Sequence, residues 1–280
     1  MKKLVSTTTF LLLFIGANAQ FWIGPKAGIT YTNNVYDDYT YKARYNVSQD
    51  INWHAGLSMD YDSDGRFVVH SELTYERVGN NVSNLSSEPK LEASSVYHFL
   101  SLPMMVRIIF SGRRSAVKFY GQAGPRMKFW LAGNGQTEAD EFEENGFNGL
   151  AYNVRFKNVE DRDDSGITDP DESGLRQGAE FIVHKPNRVQ YSLDIGGGMF
   201  MDLSNGQRLS VDAKFSWGHS NMGFNVEGDG LNLPTFDEDI EYSHNMLTLS
   251  VAYLFYFDPI MARKGKSTDG TKKKKYKGGH

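Results

Sequence analysis

The 280-residue chain has no cysteine, so no disulfide holds it together, although an exported protein is free to form them. It has no excess of either charge. Thirty Lys and Arg stand against 34 Asp and Glu, for a formal net charge of −4, and nothing global draws it toward nucleic acid. It also lacks an apolar run long enough for a spanning helix. The run in the first nineteen residues, Phe10 to Ile15, falls far short of the ~20 residues a helix needs to cross a bilayer. No later segment is longer in that sense, so if the chain enters a membrane it must do so as strands.

The short apolar run has the layout of an export signal. Lys2 and Lys3 precede it, and Ala17-Asn18-Ala19 follows as a small-residue cleavage site, which makes Gln20 the expected mature start. Residues 20–257 then read as one domain, because extended segments recur at regular intervals. Each alternates apolar and polar residues, as in Trp53, Ala55, Leu57, Met59 and Tyr61 against His54, Gly56, Ser58 and Asp60. Period two means extended backbone with its two faces in different surroundings. The expected strands are 21–31, 52–61, 67–78, 98–110, 116–131, 190–203, 207–218 and 245–257. Eight strands allow a sheet to close on itself with no exposed edge.

The connections alternate strictly between short and long. Asp62-Ser63-Asp64-Gly65, Ser111 to Ser115 and Ser204-Asn205-Gly206 are tight turns, whereas 32–51, 79–97, 132–189 and 219–244 are long. All long loops therefore leave from one rim, as in bacterial outer-membrane barrels, with short turns in the periplasm and long loops outside. Period two does not say which face points inward, but three features do. The apolar face is broad, as in Leu100, Leu102, Met104, Val106, Ile108 and Phe110. The polar face carries Gly24, Gly28, Gly56, Gly124, Gly196, Gly198 and Gly218, as a crowded interior requires. Aromatics, among them Phe21, Tyr61, Phe129, Trp217 and Phe257, gather near strand ends like interfacial girdles. The expected fold is all-β, an eight-stranded antiparallel up-and-down transmembrane β-barrel with lipid outside. A mean hydropathy of −0.48 suits a barrel, since half of each strand and all the loops are polar.

The alternation then gives the inward charges. The bases are Lys26, Arg107, Lys118, Arg126, Lys128 and Lys214; the acids are Asp60, Glu72, Glu76, Asp194, Asp202 and Asp212, with His54 and His70 also inward. The signs balance. An eight-stranded barrel is only wide enough for its own side chains, so paired charges imply a salt-bridged plug and no diffusion pore. His54, His70, Ser58 and Glu72 include the residue types of a hydrolytic triad. With no nucleophile motif among them, they read as part of the same plug, and no enzymatic activity or catalytic residue is expected.

Outside the strands, Asp161, Asp163, Ser165, Ile167, Asp169 and Glu172 fit the calcium-loop template around Gly166. Pro170 stiffens that segment and no helix-like sequence flanks it, so a solvated acidic loop is the competing reading. Loop 32–51 carries Tyr36, Tyr39, Tyr41 and Tyr45, which suit either an upper girdle or a contact surface. Residues 258–280 form a Lys- and Gly-rich periplasmic tail, expected to be disordered and suited to anionic lipid headgroups or an acidic partner.

The chain resembles the PorT-like outer-membrane β-barrel family of Bacteroidota. The resemblance rests on Lys26-Ala27-Gly28, His54-Ala55-Gly56-Leu57, Glu72-Leu73-Thr74-Tyr75, Leu102-Pro103-Met104-Met105-Val106, Gly121-Gln122-Ala123-Gly124-Pro125 and Asp194-Ile195-Gly196-Gly197-Gly198. It implies an eight-stranded barrel in the outer membrane; the family includes a member needed for type IX protein secretion, which would make secretion-machinery proteins its partners, alongside many members of unknown role. It brings no catalytic residues. The long acidic loop and the lysine tail depart from the compact family pattern. The competing function is a cell-surface binding or adhesion module that uses its acidic loops.

Overall fold

The structure, a computed structural model, describes residues 20–62, 66–85, 90–112, 115–156, 175–183, 185–203, 206–225 and 239–257. The export signal, the calcium-template residues 161–172 and the tail 258–280 lie outside the described residues. In chain order the elements are β1 (Gln20–Tyr36), α1 (Tyr39–Arg44), β2 (Tyr45–Ser48), β3 (Asp50–Asp62), β4 (Phe67–Asn84), β5 (Leu91–Ile109) and β6 (Val117–Ala139). They continue with α2 (Asp140–Glu144), β7 (Gly149–Phe156), β8 (Leu175–Val183), β9 (Val189–Leu203), β10 (Gln207–Gly218) and β11 (Tyr242–Phe257).

Eight of these strands form a closed antiparallel ring in the order β1, β3, β4, β5, β6, β9, β10, β11, and β11 returns to β1 from Phe21↔Phe257 to Tyr36↔Tyr242. Closure matters because a lipid-exposed strand edge would leave backbone groups with no partner. The two faces settle the inside-out question. Ile29, Leu193 and Ile195 on the outer face are 53, 53 and 60 % exposed, whereas Lys26, Glu72 and Asp194 on the inner face are 2, 3 and 0 % exposed. The apolar surface belongs to lipid.

Four strands run further on the loop side than the alternation indicates. β1 continues to Tyr36, β4 to Asn84 and β6 to Ala139, while β5 begins at Leu91. Above the membrane the outward positions become polar, and apolar residues such as Val78, Val82 and Tyr97 enter the inward set beside polar ones such as Asn34 and Asn80, so the lipid-facing signal stops where the strand does not. In β6 the phase also slips. Phe99 pairs with Trp130 but His98 pairs with Ala132, which leaves Leu131 as the extra residue of a bulge.

The loop segments 32–51 and 132–189 are correspondingly folded in part. β2 pairs with the top of β4, β7 with the top of β6, and β8 lies parallel to β7. The result is a six-stranded extracellular sheet in the order β2, β4, β5, β6, β7, β8 that continues the barrel wall upward. Its inner face holds an apolar core that includes Val78, Val82, Tyr97, Phe99, Trp130, Tyr152, Phe181 and Tyr242. Two tyrosines of loop 32–51 belong to that core and not to a girdle or outer contact surface. Tyr36 and Tyr41 stack at 4.7 Å and are buried, and only Tyr39 of the group is widely exposed. α1 makes this possible. Asp38 caps it by accepting from the Thr40 amide at 2.7 Å, and the turn directs Tyr41 inward.

Candidate functional site

The lumen is filled in three layers. At the periplasmic end the Arg208 guanidinium lies 4.2 Å from the Trp22 ring centre and 4.1 Å from that of Phe200. Its Nε donates to Asp202 at 2.6 Å, and its Nη2 to Asp62 at 3.3 Å. The pair Lys118–Asp202, 3.0 Å apart, sits partly exposed at this rim, so these two close the mouth and do not belong to the buried plug.

The middle layer is ionic. Lys26 donates to Glu72 at 2.7 Å and to Asp212 at 2.8 Å, and Lys214 donates to Glu72 at 2.7 Å. His70 bridges Asp60 and Glu72 at 2.5 and 2.6 Å, and Arg107 donates to Asp60 at 2.8 Å and to Gln122 at 2.9 Å. These groups come from six different strands, so the network ties the ring across its interior. A second cluster lies beside it, where Arg126 joins Asp194 and Glu76, each at 2.9 Å. Buried ions of this kind need partners on every side, since an unpaired one costs several kcal/mol.

Above the ions comes the aromatic layer. Lys128 marks the change: it is buried with its Nζ 5.1 Å from the centre of the Phe99 ring and 3.5 Å from the Met246 sulfur. No carboxylate lies within ion-pair distance of it among the described residues. Phe99 packs edge-on against His244, and Trp130 against Tyr97. The apolar core of the extracellular sheet follows directly.

Sequence reasoning missed Arg208 and Asp62, although both lie on the inward parity, four residues before Asp212 and two after Asp60. The triad-type residues are not assembled for catalysis. The His54 ring nitrogens meet Thr30 Oγ1 at 3.0 Å and Ser250 Oγ at 3.1 Å, His70 is taken up by two carboxylates, and the buried Ser58 hydroxyl has no described partner. A nucleophile needs its base within hydrogen-bond reach. Among the described residues, His54, His70, Ser58 and Glu72 form no such relay.

A lumen filled with side chains from one mouth to the other sets an expected result. Purified protein inserted in planar bilayers gives no large, steady conductance at neutral pH. A stable open level comparable to that of a water-filled porin would show that the plug is not continuous.

The outer face of the extracellular sheet presents two adjoining clefts. One, of about 330 Å³, is lined by Ser48, Asn81, Ser83, Glu92, Ser94, Gln136 and Glu138. The other, of about 370 Å³, is lined by Arg77, Ser94, Val96, Asn134, Gln136 and Asn153. They share Ser94 and Gln136 and stand above the lipid-facing belt on the same strands.

The family comparison agrees with this architecture. Residues 17–222 match the family model described as outer membrane protein beta-barrel domain. No curated protein matches the chain in sequence. Among solved structures it is similar to Neisserial surface protein A, at 10 % identity over 86 % of this chain and 99 % of that one, with a TM-score of 0.36. It is similar to OprG from Pseudomonas aeruginosa, at 11 % identity over 86 % of this chain and 98 % of that one, with a TM-score of 0.42. A third is Ail, the attachment invasion locus protein of Yersinia pestis, at 10 % identity over 84 % of this chain and 99 % of that one, with a TM-score of 0.34. With a closed ring of eight strands, an apolar outer belt and a family match over most of its length, the chain belongs to the outer membrane protein β-barrel domain family and resides in the outer membrane.

Proposed function

We propose that the protein is a non-enzymatic anchor for interactions at the cell surface. The observation that carries this reading is a barrel sealed by its own side chains and topped by an extracellular sheet with its own apolar core. A conduit needs an open lumen, and a hydrolase needs an accessible nucleophile beside its base. A scaffold needs a rigid, water-facing platform held at a fixed height, which the six-stranded sheet supplies.

The most specific form of this reading is an accessory of type IX protein secretion, in line with the PorT-like resemblance. In that form the barrel anchors, the extracellular sheet meets partners outside, and the lysine-rich tail meets acidic partners or anionic lipid in the periplasm. The test is the culture-supernatant proteome of a deletion strain against its parent and a complemented control. Loss of the proteins bearing type IX secretion signals, restored on complementation, is the expected result. An unchanged supernatant removes the secretion role.

The second reading is a surface-binding or adhesion module, favoured by how much of the chain is folded above the membrane. Its calcium-dependent version assigns the ion to the acidic segment Asp161 to Glu172. An intact secretome with lost adhesion separates this reading from the first.

A further inference from the structure

The outer face of the extracellular sheet has a composition that folding does not explain. Cross-strand pairing lines its outward side chains into rows. One row runs Ser48, Asn81, Ser94, Gln136, Ala151 across five strands. The row above it runs Asn46, Ser83, Glu92, Glu138, and Val96, Asn134 and Asn153 lie in line below. Asn is depleted in strands, and solvated sheet faces gain stability from Thr and other β-branched residues. Nor does packing demand these amides, because the sheet is held from its inner face by Val78, Val82, Ala93 and Tyr97.

Several side chains on this face are also left available, although Glu138 pairs with Lys90 at 3.3 Å. Ser94 Oγ donates to Asn81 Oδ1 at 2.7 Å. Gln136, Asn134, Asn153 and Ser83 make no hydrogen bond to another described side chain. Small residues flanked by longer ones give two clefts of about 330 and 370 Å³ in place of a flat face, each in the size range of small-ligand sites. Amides and hydroxyls, which donate and accept at once, form the middle of the lining, with the acceptor carboxylates of Glu92 and Glu138 at the upper end of the first cleft and Arg77 at the lower end of the second. A ligand dense in hydroxyls, and lacking a large apolar face, matches it.

Position narrows the ligand further. These outward residues continue the parity of the lipid-facing set: in β5, Leu100 is followed upward by His98, Val96, Ser94 and Glu92. The face therefore looks sideways, into the layer above the outer leaflet. From Tyr75 at the girdle to Ser83 the strand climbs eight residues, roughly 20 Å of height at ~3.3 Å per residue and a tilt near 40°. At the base of the clefts is Arg77, exposed and with no ion pair among the described residues. The order from the membrane upward is aromatic, cation, amides and hydroxyls, then the carboxylates of Glu92 and Glu138, which accept from sugar hydroxyls. A glycolipid of the outer leaflet has the matching order of acyl chain, phosphate and sugars.

We propose that the outer face of β4, β5, β6 and β7 binds the core sugars of neighbouring outer-leaflet glycolipids, with Arg77 receiving the phosphate beneath them. This rests on the reading of the extracellular sheet as a binding platform and names what its lateral side holds. The barrel is thereby seated in a glycolipid collar, which leaves the upper rim for other partners.

The experiment is saturation-transfer NMR on the full-length barrel in phospholipid nanodiscs, with delipidated core oligosaccharide from the same cells as probe. Transfer to the oligosaccharide is expected from barrel-bearing discs and not from empty ones. The variant Asn81→Val, Ser94→Val, Gln136→Val raises strand propensity, keeps the unboiled gel shift of a folded barrel, and reduces transfer at least threefold. No transfer from the wild type, or equal transfer from the folded variant, overturns the proposal. Stronger transfer to dextran or heparin fragments than to the core also overturns it, since the face would then serve foreign glycans. Adhesion or secretion lost in the deletion strain without oligosaccharide contact sinks this assignment and leaves the platform reading standing. Contact with the core in a strain whose deletion changes neither adhesion nor secretion supports it and removes only that wider role.

Discussion

Replacing Glu72 with leucine is expected to destabilise the folded barrel by about 3–5 kcal/mol, the usual cost of breaking a buried ion pair from one side. Glu72 is the most connected luminal acid. It accepts from Lys26 at 2.7 Å, from Lys214 at 2.7 Å and from His70 at 2.6 Å. Leucine fills the volume but leaves Lys214 with no carboxylate at ion-pair distance and Lys26 with Asp212 alone. Water cannot replace the lost partner, because Trp22 and Phe200 close the lumen below and Phe99 and Trp130 close it above. The readout is the urea midpoint of folded protein in lipid vesicles, scored by the heat-dependent shift on gels. Lys118→Ala is the control. Its ion pair lies at the partly exposed rim and Asp202 keeps Arg208, so its loss is worth about 1 kcal/mol or less. Should Glu72→Leu unfold within about 1 kcal/mol of the parent, the ionic layer does not tie the strands together.

The contrast between those two acids also shows what the sequence could and could not say. Period-two alternation places both Glu72 and Asp202 on the inner face; in the structure Glu72 is buried and Asp202 sits at the partly exposed rim. It carries no depth, however, so a rim acid and a central one look alike. It gives a balance of charge but not the pairing. Arg107 reaches across β4 to Asp60, and Lys128 is left with an aromatic ring and a sulfur while Arg126 takes both Glu76 and Asp194. The extracellular sheet was hidden for a different reason. Where the outside changes from lipid to water, the outward face turns polar and apolar residues appear on the inward one, so Val78, Val82 and Tyr97 look like the end of a lipid-facing strand. At Leu131 the bulge breaks the phase as well. The tyrosines of loop 32–51 look like surface residues until α1 turns Tyr41 under Tyr36.

Gly56→Ala is expected to prevent most of the protein from reaching the heat-modifiable folded form. The glycines of the polar face suggest a crowded interior, and the structure gives the crowding a specific source. A Cβ on Gly56 would lie 2.1 Å from the Leu73 carbonyl oxygen and 2.6 Å from the Thr74 Cα. Both are backbone atoms of the neighbouring strand, so no side chain can rotate away to relieve the clash. Gly124 repeats the arrangement against β5, with its Cβ position 2.1 Å from the Met104 carbonyl oxygen. Tight curvature brings the inward side of one strand against the backbone of the next, and a methyl group there forces the pair apart. Overpacking a core costs about 1–3 kcal/mol when side chains can adjust; here the ladder itself must open, and the cost sits at or above that range. Gly56→Ala and Gly124→Ala should each cut the folded fraction severalfold in refolding from urea into vesicles. Gly112→Ala, with no atom within 4 Å of the added methyl, should refold like the parent. Equal refolding of Gly56→Ala and Gly112→Ala would mean that the ring relaxes by a few tenths of an ångström at little cost. In that case the inward glycines do not set the curvature, and the ion pairs must do so alone.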